Sequence, residues 1–99
     1  MTTENKASLK REVAECLRNA AEVRKIVIFG SFLVSASPND MDVAVFQDST
    51  EPYLPLALKY RRMTKAVAER IALDILPVRR GASGAFLDEI NRGEVIYER

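Results

Sequence analysis

The sequence predicts a small α/β (α+β) domain: a mixed β-sheet of about three strands covered by helices, in the order α-β-α-β-α-β-α. Three observations predict it. Lys25–Phe29 (KIVIF), Met41–Phe46 (MDVAVF) and Ile71–Val78 (IALDILPV) are short runs dense in β-branched and other apolar residues, as strands buried on both faces are. Around them apolar residues recur at helical spacing. The link from the first run to the second is also too short for a parallel crossover, so those two strands are expected to pair antiparallel.

In chain order, Lys6–Ala21 carries Leu9, Val13, Leu17 and Ala20 on one stripe with charged residues between them, a helix that covers the sheet. Cys16 borders that stripe and is expected to behave as a small buried hydrophobe. After Lys25–Phe29 the pair Gly30-Ser31 ends the strand, Phe32–Ser35 reads as a turn of helix, and Ser37-Pro38-Asn39-Asp40 is rich in turn formers. Met41–Phe46 follows. Pro52 and Pro55 mark the start of the next helix, which places Leu56, Tyr60, Met63 and Val67 on one face. The cluster Lys59-Tyr60-Arg61-Arg62 reads as part of its solvated face. Pro77 assigns Ile71–Val78 to a sheet edge or strand end. A last helix is expected from a Ser83 cap through Asn91, with Phe86, Leu87 and Ile90 inward and Gly93 at its C-terminal cap. Val95-Ile96-Tyr97 should then pack back as an apolar tail.

The 99 residues suit one domain with one core, 47% of them hydrophobic and 29% charged. Residues 1–99 are accordingly read as a single domain. Fifteen basic residues against 14 acidic ones, a net charge of +1, argue against an extended nucleic-acid surface. No apolar run is long enough to span a bilayer, and the start of the chain is too polar for a secretory signal. A cytoplasmic protein without a membrane partner is expected. One cysteine allows no internal disulfide, and the absence of histidine removes the commonest general base and zinc ligand. Carboxylates are left as the expected catalytic groups.

They occur in a telling arrangement. Asp40 and Asp42, two apart at the start of a strand, project from one face. Like charges that close repel unless something such as a divalent cation compensates them. Asp74 interrupts the third apolar run, where an unpaired charge would be costly to bury; an outward-facing position, or a salt bridge to Arg79 or Arg80, is the structural alternative. A Gly-Ser leading into a helical turn offers backbone N–H groups and a hydroxyl that suit a phosphate. Three carboxylates on neighbouring strands can hold two divalent cations, the arrangement that serves phosphoryl or nucleotidyl transfer.

With these residues in view, FGSF followed by NDMDVAVF and then IALDILPV resembles the nucleotidyltransferase superfamily that includes DNA polymerase beta and the kanamycin nucleotidyltransferases. The short length and the ending EINRGEVIYER are similar to the minimal nucleotidyltransferase (MNT) family, over nearly the whole chain. The resemblance implies the nucleotidyltransferase fold and two Mg²⁺ ions, with Asp40 and Asp42 as ligands of both and Asp74 assisting the one that activates the nucleophile. It implies ATP or another NTP as substrate, held through its triphosphate by Gly30 and Ser31. It also implies transfer of AMP to an acceptor hydroxyl and a HEPN-domain toxin as partner, the chain serving as antitoxin. The chain departs from the pattern in the segment after Gly-Ser. Leu33-Val34-Ser35-Ala36 stands where many members carry Ala-Arg-Gly or similar, and the spacer to Asp40 is short. By position, Arg79 and Arg80 are the expected substitutes for the missing arginine.

Two other function classes stay open on the sequence. One is a catalytically weak or inactive antitoxin that neutralises its partner by covering it, and the other is a nucleotide sensor or structural subunit of a larger transferase. Homo-oligomerisation is open as well.

Overall fold

The computed structural model describes residues 1–99. Helix α1 spans Thr3–Leu17. Thr2 caps it, its hydroxyl accepting from the Asn5 amide at 3.0 Å, and the stripe Leu9, Val13, Leu17 is buried. Strand β1 (Val23–Phe29) ends in a 3₁₀ turn over Gly30–Leu33, and strand β2 spans Asp40–Gln47. As the short link requires, β1 and β2 pair antiparallel, with Phe29 opposite Asp42. The helical turn expected at Phe32–Ser35 thus starts earlier and is tighter.

The long helix expected after Pro52 is two: α2 (Tyr53–Met63) and α3 (Lys65–Ala68). The break is at Thr64, which is buried and turns its hydroxyl back to the Tyr60 carbonyl at 2.8 Å. Such back-bonding offers the backbone an alternative to helical continuation. Together α2 and α3 form the crossover that brings strand β3 (Ala72–Arg79) parallel to β2, in a register that sets Asp74 opposite Asp42. Pro77 is tolerated because β3 is an edge strand of the sheet order β3-β2-β1-β4.

The apolar tail expected at Val95-Ile96-Tyr97 does pack back, but as part of a fourth strand, β4 (Glu94–Glu98), where about three were expected. The segment pairs antiparallel with the free edge of β1, Ile26 opposite Tyr97. Arg99 pins its end, the guanidinium donating to the Ala21 and Arg18 carbonyls at 2.7 and 3.0 Å. Before it lies α4 (Ala85–Asn91), preceded by Gly84 with no side-chain cap, so Ser83 does not cap it. Gly93 is no left-handed C-cap either; a Cβ there would stand 2.3 Å from the Ile28 carbonyl oxygen. It is glycine because the end of α4 is pressed onto β1.

The two faces of the sheet are covered unequally. Residues alternate between faces along each strand. Ile26, Ile28, Met41, Val43, Val45 and Ile75 point to the face covered by α1, α2 and α3, in a cluster of 16 buried residues. Val27, Phe29 and Ala44 point the other way and meet only Ile90 of α4 in a buried cluster of 4. Each fully buried Val, Leu or Ile contributes about 1.5–3 kcal/mol of transfer free energy, so the first face holds the sheet together. The second face, thinly covered, is free for a site.

Candidate active site

Asp40 and Asp42 fall on the thinly covered face, in alternation with buried Met41 and Val43 on the other. Asp74, level with Asp42 on the neighbouring strand, falls there too. One carboxylate oxygen from each of the three lies within 4.8 Å of the others; Asp40 and Asp42 are half-buried and Asp74 is exposed. Exposure disposes of the cost that a buried Asp74 would carry. It forms no ion pair with Arg79 or Arg80, as the chain's four ion pairs are Lys10–Glu94, Arg24–Asp48, Lys59–Glu22 and Arg70–Glu12.

The cluster is electrostatically uncompensated. Burial, then the charges of Asp40 and Asp74, close contact with Asp74 and the charge of Glu89 hold the Asp42 carboxyl above its ordinary range. Carboxylate oxygens alone are the donor set that suits a hard divalent cation such as Mg²⁺. The residues present therefore fit the metal the resemblance implies.

Gly30 is joined to this cluster by shape. Its φ is +80°, and a Cβ there would stand 2.6 Å from Oδ2 of Asp42. Only glycine both adopts the turn at low cost and leaves room for that carboxylate. Ser31, next to it, is exposed. The structure thus brings Gly30, Asp40, Asp42 and Asp74 to one end of the sheet, with Ser31 beside them.

Arg79 and Arg80 are not there. Asp74 and Arg79 lie on one strand five residues apart, which places them about 16 Å from each other. Arg80 lines a cleft at the opposite end with Gln47, Asp48 and Gly81. The expectation that these arginines approach the phosphates is thereby corrected.

Other residues meet the aspartates instead. A cleft of about 360 Å³ is lined by Asp42, Asp74, Phe29, Tyr53, Arg61, Ile75, Leu76, Phe86 and Glu89. Tyr53 and Phe86, beside the acids, are 51% and 54% exposed. Phe86 does not point inward as expected; it meets Phe29 edge-on, ring centroids 5.9 Å apart. Arg61 reads in the sequence as one more charge on a solvated helix face. Glu89 has no local signal at all, since α4 reaches the site only through the packing of its end on β1.

A family model described as "Polymerase beta, Nucleotidyltransferase" matches residues 11–99. No curated protein matches the sequence. Among solved structures, a chain in the complex of tri-AMPylated Shewanella oneidensis HEPN toxin with MNT antitoxin is similar, at 18% identity and a TM-score of 0.71, over 95% of this chain and 73% of that one. The toxin–antitoxin MntA-HepT gives 18% identity and a TM-score of 0.68, over 94% and 73%. A toxin–antitoxin with AMP-PNP gives 20% and 0.71, over 91% and 73%. At such identities the likeness is one of fold.

Proposed function

The chain belongs to the polymerase beta nucleotidyltransferase family, and from that premise we propose that it transfers AMP from ATP, or another NMP from its NTP, to an acceptor hydroxyl. Its biological role in this reading is that of an antitoxin acting on a HEPN-domain toxin in the cytoplasm. Residues 1–99 act as one nucleotidyltransferase domain. The observation that carries the reading is the convergence of Asp40, Asp42 and Asp74, with Gly30 held open over Asp42. The antitoxin role is supported by fold likeness to chains from complexes of a HEPN toxin, one of them AMPylated, with an MNT antitoxin.

Asp40, Asp42 and Asp74 would hold the Mg²⁺ ions. Bound there, Mg²⁺ supplies charge neutralisation at the phosphates and lowers the pKa of a coordinated hydroxyl. The chain's own residues do the rest. Gly30 gives the phosphates access to Asp42 by presenting no side chain, and Ser31 offers an exposed hydroxyl beside it. Asp74, the exposed member on the edge strand, would face the acceptor; its exposure and edge position support that role. Tyr53 and Phe86 line the cleft beside the acids. Fold likeness to a chain from a complex with a tri-AMPylated HEPN toxin supports an acceptor on a protein partner.

The test is incubation with labelled ATP, Mg²⁺ and a HEPN-domain protein encoded beside this gene. Label should reach the partner with the wild type and be abolished by Asp40→Asn and Asp42→Asn. Asp74→Asn should lower transfer by orders of magnitude while nucleotide binding changes little. Neutralisation that survives the first two substitutions without label transfer would replace this reading by the binding antitoxin.

A further inference from the structure

The phosphate side of the site is where the sequence supplies least. Residues Phe32–Asn39, after Gly30-Ser31, contain no lysine or arginine, and Arg79 and Arg80 are at the wrong end of the sheet. The fold brings a cation to that side by another route. Arg92, at the C-terminal end of α4, lines a cleft of about 320 Å³ together with Gly30, Leu33, Val34, Glu89 and Gly93. Gly93 seats this end of α4 against the Ile28 carbonyl, two residues before Gly30. Arg92 is exposed and belongs to none of the chain's four ion pairs. Glu89 shares the cleft but forms no ion pair with Arg92. Glu89 also lines the cleft of Asp42 and Asp74, so the two clefts adjoin.

The sheet order gives this placement a direction. Across β3-β2-β1-β4 run Asp74, Asp42, Gly30 at the end of β1, and Arg92 just before β4. Neighbouring strands are about 4.8 Å apart, which puts the start of β4 about 10 Å from the strand of Asp42. The outer phosphates of a nucleotide whose reacting phosphorus sits at Asp42, together with an extended arginine, cover that distance. A guanidinium, with donors in a fixed fork, is suited to two phosphate oxygens at once.

We propose that Arg92 binds the outer phosphates of the nucleoside triphosphate, in place of the basic residue this chain lacks after Gly30-Ser31. The inference rests on the nucleotidyltransferase reading above and adds to it the residue that grips the leaving pyrophosphate. The test is calorimetric titration of the full chain with MgATP, without acceptor, for wild type, Arg92→Ala, Arg92→Lys and Arg80→Ala. Arg92→Ala should weaken binding by about tenfold to a hundredfold, the loss of one charge-assisted contact. Arg92→Lys should recover part of that, and Arg80→Ala should bind as the wild type does. All should melt together, because neither arginine carries an ion pair or packs in the core. Arg92→Ala binding MgATP as tightly as wild type overturns the proposal, and so does an equal loss in Arg80→Ala, which would reflect net charge alone. A wild type that binds no MgATP overturns the nucleotidyltransferase reading and this inference with it.

Discussion

Replacing Asp42 by asparagine should make the metal-free protein more stable. One carboxylate oxygen from each of Asp40, Asp42 and Asp74 lies within 4.8 Å of the others. Two unit charges at that distance repel by about 1 kcal/mol in water and about 3.5 kcal/mol at the effective dielectric of a protein surface. Asp42 has two such neighbours, yet Asp74 is exposed and Asp40 and Asp42 are only half-buried, so solvent screening makes the lower figure the better guide. Asp42→Asn keeps the shape and removes the charge; a gain of about 1–2 kcal/mol and a rise in Tm of about 5–10 °C are expected at pH 7 in a chelator. The pH dependence follows from the raised carboxyl. Because the folded chain holds this proton more tightly than the unfolded one, the contribution of Asp42 is full below its ordinary value of 3.8. It is lost as pH rises through the folded value. Wild type and variant should therefore melt together at low pH and separate as pH rises. Added Mg²⁺ should reverse the order, stabilising the wild type by mass action and the variant hardly at all. The assay is thermal unfolding followed by circular dichroism, with chelator or Mg²⁺, from pH 3 to 8. A variant less stable than wild type at pH 7 in chelator would refute the reasoning, since Asp42 would then be satisfied by the fold and not strained by its neighbours.

Gly30→Ala should abolish nucleotide transfer, because its Cβ would stand 2.6 Å from Oδ2 of Asp42 and its φ of +80° costs about 1–2 kcal/mol for an L-residue. Measured transfer comparable to wild type would show that the turn and Asp42 move apart freely. Gly93→Ala places its Cβ 2.3 Å from the Ile28 carbonyl oxygen; a loss of about 2 kcal/mol or more in urea denaturation is expected, as over-packing against fixed backbone typically costs 1–3 kcal/mol. Tyr60→Phe removes the hydroxyl that donates to Glu22 at 2.8 Å, while Lys59 remains at 3.0 Å. A loss of about 1–2 kcal/mol is expected at pH 7. Burial tends to raise the Glu22 carboxyl, but the hydrogen bonds from Tyr60 and Lys59 prevail and hold it below its ordinary 4.5. Its contribution is present above 4.5 and lost as pH falls through the folded value, so the deficit of Tyr60→Phe should shrink on acidification. A deficit that stays constant down to pH 2 would remove Glu22 from the account.

What the sequence determined by itself was whatever depends on neighbours along the chain. The β-branched runs at Lys25–Phe29 and Met41–Phe46 marked strands, and their short link dictated an antiparallel pair. Alternation alone placed Asp40 and Asp42 on one face, and Leu9, Val13 and Leu17 on one side of α1. Gly30 was legible as a turn, although its second duty, clearance for Asp42, depends on the register of β1 with β2.

The tertiary structure decided what depends on residues far apart in sequence. Asp74 joins the other aspartates because the crossover through α2 and α3 sets β3 level with β2, not because of anything in IALDILPV. The segment Glu94–Glu98 became a strand because β1 had an open edge to pair with; five residues with a mixed pattern carry no such signal. In the same way Arg79, next to the third strand in sequence, is carried to the far end of the sheet by the strand's own length. Arg61 is brought to the acids, and Arg92 to the cleft beside Gly30, by helices packed on and beside that sheet. Local periodicity writes the faces of each element, while register and helix docking, which arise only when the elements bury one another, choose which charges meet.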